Sequence, residues 1–266
     1  MGKTKAFLYT FGISFSITLI CYGILYWTIP PKSVDKNQQN VPILTAQAQD
    51  SKTSLIVLND KDSNFFFLLK LNGIQKKVGL ISIPPDFYIT NSGRTMEESF
   101  EYAGIMQCVQ DLSNEFDLNI HYHILCTEEN LSNIISSFSG VYIDKISNFL
   151  PQSINNLIFK GTDYMDITTF TSTVSKLGVY LDNNIGIEFL NNIGIYLIKN
   201  NMDNIGAYVI DDIKKNFSHL NTNISTEDFE RLKRIMSLLN NSQVEFSNVV
   251  LNQNTANEDI TRLFKE

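Results

Sequence analysis

The stretch LNGIQKKVGLISIPPDFYI, residues 71–89, decides how this chain is read. Asn72-Gly73 is a hairpin signal, because both residue types tolerate the positive φ angles of tight turns. The apolar run after it returns as a strand until Pro84-Pro85, which lack amide donors, stop the ladder. One carboxylate, Asp86, stands just beyond the prolines, followed by Phe87 and Tyr88. Upstream, SLIVLN (54–59) and NFFFLLKLN (64–72) are short runs rich in β-branched and aromatic residues. Three strands are thus adjacent in sequence, and strands apolar on both faces belong to a sheet covered on both sides.

Beyond this hairpin the period changes. Thr95 with Glu98 three residues on forms a capping-box pattern, and Met96, Phe100, Ala103, Ile105, Val109 and Leu112 recur near helical spacing. One helix ending near Phe116 is expected. NIHYHILC (119–126) reads as a strand, TEENLSNIISSF (127–138) as a helix capped by Thr127, and GVYIDKI (140–146) as a further strand. Helical periodicity returns over 185–198, 205–213 and 226–239, the last opened by a second capping pair, Ser225 and Asp228. QVEFSNVVL (243–251) closes the chain's strands. The fold expected is α/β: a three-layer α/β/α sandwich with a central mixed sheet, preceded by one N-terminal transmembrane helix.

That helix is read from AFLYTFGISFSITLICYGILYWTI (6–29), which carries no charge. At 1.5 Å per residue it covers roughly 36 Å, enough for a hydrocarbon core of about 30 Å. Lys3 and Lys5 precede it, and Tyr26 and Trp27 close it, as a cytoplasmic positive flank and an interfacial aromatic belt would. A cleaved signal peptide needs a small-x-small site at the exit, and YWTIPPK offers none; Ala46 and Ala48 lie too far downstream. The organisation expected is a cytoplasmic tail (1–5), a signal anchor (6–29), a stalk (30–52) and an extracytoplasmic domain (53–266) at the cell membrane.

The charge balance of −7 excludes a nucleic-acid partner, since phosphate backbones are bound by clustered Lys and Arg. Cys21, Cys108 and Cys126 form neither a disulfide framework nor a CxxC pair. With Cys21 in the apolar segment, Cys108 and Cys126 are either one bridge or two buried thiols. His121 and His123 alternate along a strand, which places them on one face as metal ligands or as ordinary strand residues. Phe65, Phe66 and Phe67 line an apolar pocket or fill the core, and core is the expectation for a strand covered on both faces. Ser82 has no G-x-S-x-G context, and no Gly-rich phosphate loop is present.

Together, these strings resemble the LytR-CpsA-Psr family of membrane-anchored Gram-positive envelope proteins. Residues 71–89 resemble its strand-hairpin-strand ending in Ser-Ile-Pro-Arg-Asp. SFEYAG (99–104), NIHYHI (119–124), FSGVYIDKI (138–146), FKGTDYMD (159–166) and NTNISTEDF (221–229) follow in the family's order, so the resemblance covers roughly residues 54–251. It implies transfer of glycopolymers from a polyprenyl pyrophosphate carrier to the cell wall. Such chemistry needs a divalent cation held by carboxylates and guanidinium groups that grip phosphate oxygens in pairs.

Several of those groups are replaced here. Pro85 stands where the family has Arg, with Asp86 kept; Ser63-Asn64-Phe65 stands for Ser-Asp-Thr; and Thr169 and Thr171 fall where the family has Arg-x-Arg. No arginine occurs between Arg94 and Arg231, and lysines such as Lys160 and Lys176 supply charge without a planar clamp. The candidate ligand-binding residues are therefore Asp86, Arg94, Asp60 and Asp62, with Asp86 and Asp60 as ligands for magnesium. The expected function is a membrane-anchored envelope protein binding a polyprenyl-phosphate-linked glycopolymer or an envelope partner, with transferase activity lost or impaired. An active glycopolymer phosphotransferase and a scaffold without ligand are the alternatives.

Overall fold

The computed structural model describes residues 46–59, 64–127, 130, 140–142, 163–167, 169, 183–206, 210–215, 220–240 and 243–265. The expected anchor at 6–29 lies outside them, and among the described residues no helix is long and apolar enough to cross a membrane. Residues 46–266 form one compact unit.

Its centre is a six-stranded mixed sheet. Strand β1 (Ser51–Asn59) pairs antiparallel with β2 (Asn64–Asn72), which pairs antiparallel with β3 (Lys77–Ile83). Two short strands, β4 (Tyr88–Ile89) and β5 (Arg94–Thr95), make a separate ribbon after the prolines. Helices α1 (Met96–Ala103) and α2 (Ile105–Phe116) lead to β6 (Tyr122–Thr127), which lies parallel to β1. A second ribbon joins β7 (Val141–Tyr142) to β8 (Tyr164–Met165). The remaining elements are α3 (Asn183–Asn200), α4 (Ile210–Lys215), β9 (Asn221–Thr222), α5 (Thr226–Asn240), β10 (Glu245–Val250) and α6 (Ala256–Ile260). The sheet order is β10-β3-β2-β1-β6-β9, with β10 parallel to β3.

Alternation along the strands feeds two cores. Leu55, Val57, Phe66, Leu68, Ile81 and Ile83 pack with Met96, Ile105, Cys108 and Leu112 of α1 and α2. The intervening positions Leu69, Leu71, Val78 and Ile124 pack with Ile210 of α4 and Phe229, Ile235 and Met236 of α5. Because successive side chains of a strand point to opposite faces, the two helix groups cover the two sides of the sheet.

Four local expectations change. The turn after Asn72 takes four residues, with Asn72 Oδ1 accepting from the Ile74 and Gln75 amides at 3.1 and 3.0 Å. Its positive φ falls on Lys76 at 60°, while Gly73 sits tightly, since a Cβ there would stand 3.0 Å from Leu238 Cδ1 and that side chain would have to give. The single helix expected to Phe116 is two helices, broken at Gly104, whose φ of 72° an L side chain rarely adopts. Strand β6 begins at Tyr122, which leaves His121 outside the ladder. Ordered packing begins before residue 53: Asp50 is fully buried, accepts from the Gln47 amide at 2.8 Å and is paired with Arg234.

Both capping boxes form. Thr95 accepts from the Glu98 amide at 3.2 Å while Glu98 accepts from the Thr95 amide at 2.7 Å. Asp228 accepts from the Ser225 amide at 2.9 Å and from the Tyr122 hydroxyl at 2.8 Å, tying α5 to β6. Thr127 accepts from the Asn130 amide at 3.3 Å; apart from Asn130, the helix expected after it lies outside the described residues.

Candidate functional site

The strands' pairing places several polar residues at one end of the sheet. β1 ends at Asn59 opposite Asn64 and Thr127, and β3 ends beside the end of β10, with Val250 opposite Ser82. In α/β sheets the crevice outside the carboxyl ends of parallel strands is where ligands bind. A groove of about 690 Å³ opens at this end, a size in the usual range for ligand sites.

Three segments build it. Pro84, Asp86 and Phe87 follow β3; Glu188, Asn191 and Asn192 come from α3; and residues 248–254 belong to β10 and the turn after it. Asp86 and Glu188 are exposed, so their carboxylates are solvated. Asn191 is 2% exposed, and its Oδ1 accepts from the buried Ser82 hydroxyl at 2.9 Å. Asn248 Nδ2 donates to Asn192 Oδ1 at 2.9 Å, joining β10 to α3. Gly194 lets α3 approach β3 as well, since a Cβ there would lie 2.8 Å from Leu80 Cδ2. Gln253 grips the backbone of Tyr88 from both sides: the Tyr88 amide donates to Oε1 at 3.2 Å, and Nε2 donates to the Tyr88 carbonyl at 2.9 Å. None of the described lining residues is Lys or Arg.

A second polar chain runs beside the groove's rim without lining it. Asn59 Nδ2 donates to Asn64 Oδ1 at 2.7 Å, and Asn64 Nδ2 donates to Glu97 Oε1 at 2.6 Å. The Glu97 amide donates to the Pro85 carbonyl at 2.9 Å, next to Asp86, and Glu97 Oε2 is buried with no partner among the described residues.

The groove holds Asp86, the carboxylate that follows the two prolines. The profile of the LytR_cpsA_psr family matches residues 28–166, just over half of the chain. The chain belongs to the LytR-CpsA-Psr family. No curated protein matches it by sequence. Among solved structures, the Lin1025 protein of Listeria innocua is similar with a TM-score of 0.57 at 16% identity, over 76% of this chain and 82% of that one. TagT bound to LIIa-WTA is similar with a TM-score of 0.57 at 14% identity, over 87% and 97%. B. subtilis TagT gives 0.53 at 15%, over 82% and 94%. At these identities the likeness concerns the fold.

Within this LytR-CpsA-Psr domain the candidate residues part company. Asp86 lines the groove, but Arg94 does not: its guanidinium lies 4.0 Å from the centre of the Tyr102 ring, a cation–π contact. Asp60, Asp62, Thr171, Lys160 and Lys176 lie outside the described residues; Thr169 is exposed, and its amide donates to Asp166 Oδ1 at 3.0 Å. Asn64, in the family's aspartate position, is held by Asn59 and Glu97. The donor set fits magnesium only in part, because Asp86 and Glu188 are the groove's carboxylates and no group of three or more His, Cys, Asp or Glu that could hold a metal converges among the described residues.

Cys108 and Cys126 are free and buried, and burial pushes their thiols up to about 12 and about 11, out of the reactive range. The histidines serve the fold. The His121 amide donates to the Thr53 carbonyl at 2.9 Å, while His121 Nδ1 accepts from the Thr53 amide at 3.2 Å and so must be unprotonated. Burial lowers the pKa of His121, with Lys52 adding to it, and burial lowers that of His123 against a hydrogen bond with Asn221. Folded values below the unfolded value of about 6.5 mean that the unfolded chain binds these protons better. Stability is therefore full above that pH and falls as pH drops through it. Melting temperature should decrease between pH 7.5 and 5.0, and His121→Gln with His123→Gln should flatten the decrease. An unchanged slope in the double variant would assign the effect to other groups.

Asn191 and Asn192 were not among the residues expected from sequence. The signal was present: two carboxamides inside the apolar helical run IEFLNNIGIYLI (187–198), where a buried amide needs a reason. Asn248 and Glu188 carried no such mark.

Proposed function

We propose that this protein is a cell-envelope protein, held by residues 6–29 in the cell membrane with its LytR-CpsA-Psr domain outside, that binds a polyprenyl-phosphate-linked glycopolymer without transferring it. The observation that carries the reading is the groove at Asp86. Its lining is carboxylate, carboxamide and apolar, with no Lys or Arg among the described lining residues. A developing negative charge on a pyrophosphate would find no guanidinium clamp among the described lining residues. The TagT structure bound to LIIa-WTA, similar in fold, supports a polymer of the envelope as the ligand class. Magnesium enters as an ion that the exposed Asp86 carries at the groove's rim, with the ligand phosphate outside the groove, since magnesium is held by one or two carboxylates plus substrate oxygens.

The test uses the full chain in phospholipid nanodiscs with a polyprenyl-pyrophosphate-linked glycopolymer, magnesium and a cell-wall glycan acceptor, so that a transfer would break the pyrophosphate bond, place the polymer phosphate on an acceptor hydroxyl and release polyprenyl phosphate. Saturable binding is expected, with no release of polyprenyl phosphate above a protein-free control. Release that scales with protein would overturn the loss of activity. Protease added to intact protoplasts should remove the domain, and survival of the full-length chain would overturn the placement.

A further inference from the structure

The groove's own chemistry points to a more specific ligand, and this step rests on the proposed glycopolymer reading. Asn191 is 2% exposed, its Oδ1 is taken by Ser82, and its amide NH₂ has no hydrogen-bond partner among the described residues, although the residue lines the groove. An unpartnered donor on a nearly buried residue that opens on the groove can be met by an acceptor that arrives with the ligand. Asn192, whose Oδ1 accepts from Asn248 Nδ2, also lines the groove and has an amide NH₂ with no hydrogen-bond partner among the described residues, and Asn248 retains its own carbonyl oxygen. Among the described lining residues no cation stands beside Asp86 and Glu188, which are acceptors that repel anions.

A site that mixes unpaired carboxamide donors with carboxylate acceptors suits a group that both donates and accepts. Hydroxyls do both, whereas a phosphate at neutral pH mainly accepts and carries the charge that the two carboxylates oppose. Pro84, Phe87, Val249 and Leu251 supply an apolar part to the same lining, against which the C–H face of a pyranose ring can rest. We infer that the groove between α3 and β10 is a subsite for the uncharged, hydroxyl-rich sugar units of the polymer, recognised by Asn191, Asn192 and Glu188, and that it excludes the pyrophosphate.

A glycan array probed with the full chain in nanodiscs tests this, with neutral oligosaccharides, their phosphorylated or uronic-acid counterparts, and inorganic pyrophosphate as a soluble competitor. Neutral glycans should bind, magnesium should not be required, and pyrophosphate should not compete. Asn191→Ala should weaken binding about tenfold or more, the scale of one lost hydrogen bond with a buried partner. Should Asn191→Ala unfold the domain, the exposed Glu188→Lys provides the second arm: it should lose neutral glycans and gain affinity for anionic ones. Binding confined to anionic glycans, competition by pyrophosphate, or unchanged binding by folded Asn191→Ala and by Glu188→Lys would each overturn the assignment. Binding of the carrier-linked polymer with no neutral glycan bound would remove the groove subsite and leave the proposed function standing. Polymer transfer together with neutral-glycan binding would do the reverse.

Discussion

Replacing Phe66 by alanine should destabilise the folded unit 46–266 by about 3–5 kcal/mol, the usual cost of emptying a large aromatic position in a packed core. Phe66 is 1% exposed and lies in β2 among Leu68, Ile81 and Ile83, with its ring 6.0 Å from that of Phe100 at 72°, an edge-on contact. A residue lining a pocket for a lipid tail would face a cavity and tolerate truncation with a much smaller loss. Urea unfolding of the wild-type and Phe66→Ala proteins, at equal m-values, separates the two roles. A loss below about 1 kcal/mol would return Phe66 to the list of pocket residues.

The second large effect concerns Asp50. Its carboxylate is fully buried and accepts from Arg234 Nε at 3.0 and 3.2 Å and from the Gln47 amide at 2.8 Å. Asp50→Ala should cost about 2–3 kcal/mol, because hydrogen bonds to a charged partner are lost, while Arg234, 32% exposed, can recover some hydration. The loss should hardly change between low and moderate salt, since screening acts on exposed pairs. A loss that shrinks markedly with added salt would show that the pair behaves as a surface contact.

These two residues mark where sequence was informative and where it was not. The strands could be read because β1, β2 and β3 are apolar on both faces, and the last strand because EFSNVV alternates little and ends at a polar turn. Phe66 was expected in the core for the same reason. Asp50 looked like part of a polar stalk, because the partner that buries it stands 184 positions away and no local pattern announces it. The break at Gly104 was hidden by an apolar spacing that runs through it from Met96 to Leu112. Asp86 was found through its prolines, but the carboxamides facing it come from α3 and β10, and only the parallel pairing of β10 with β3 brings them there. Asparagine in a polar sequence reads as turn or surface, so its donors became legible only when Ser82 was seen to occupy one side of Asn191.

The parallel pairing of β10 with β3 also imposes an order of events on synthesis. β1, β2 and β3 can zip together as soon as they emerge on the side where the domain folds, because their partners are neighbours in the chain. β3 then waits with one edge open until residues 245–250 arrive, and an open strand edge during that interval invites pairing with other chains. The groove's third wall is made of those late residues, so a nascent or prematurely ended chain has a hairpin core but no finished groove. Ligand binding thus reports that residues 245–254 have been made and docked, and a truncation before Glu245 should leave a chain that sticks to itself before it can hold a sugar.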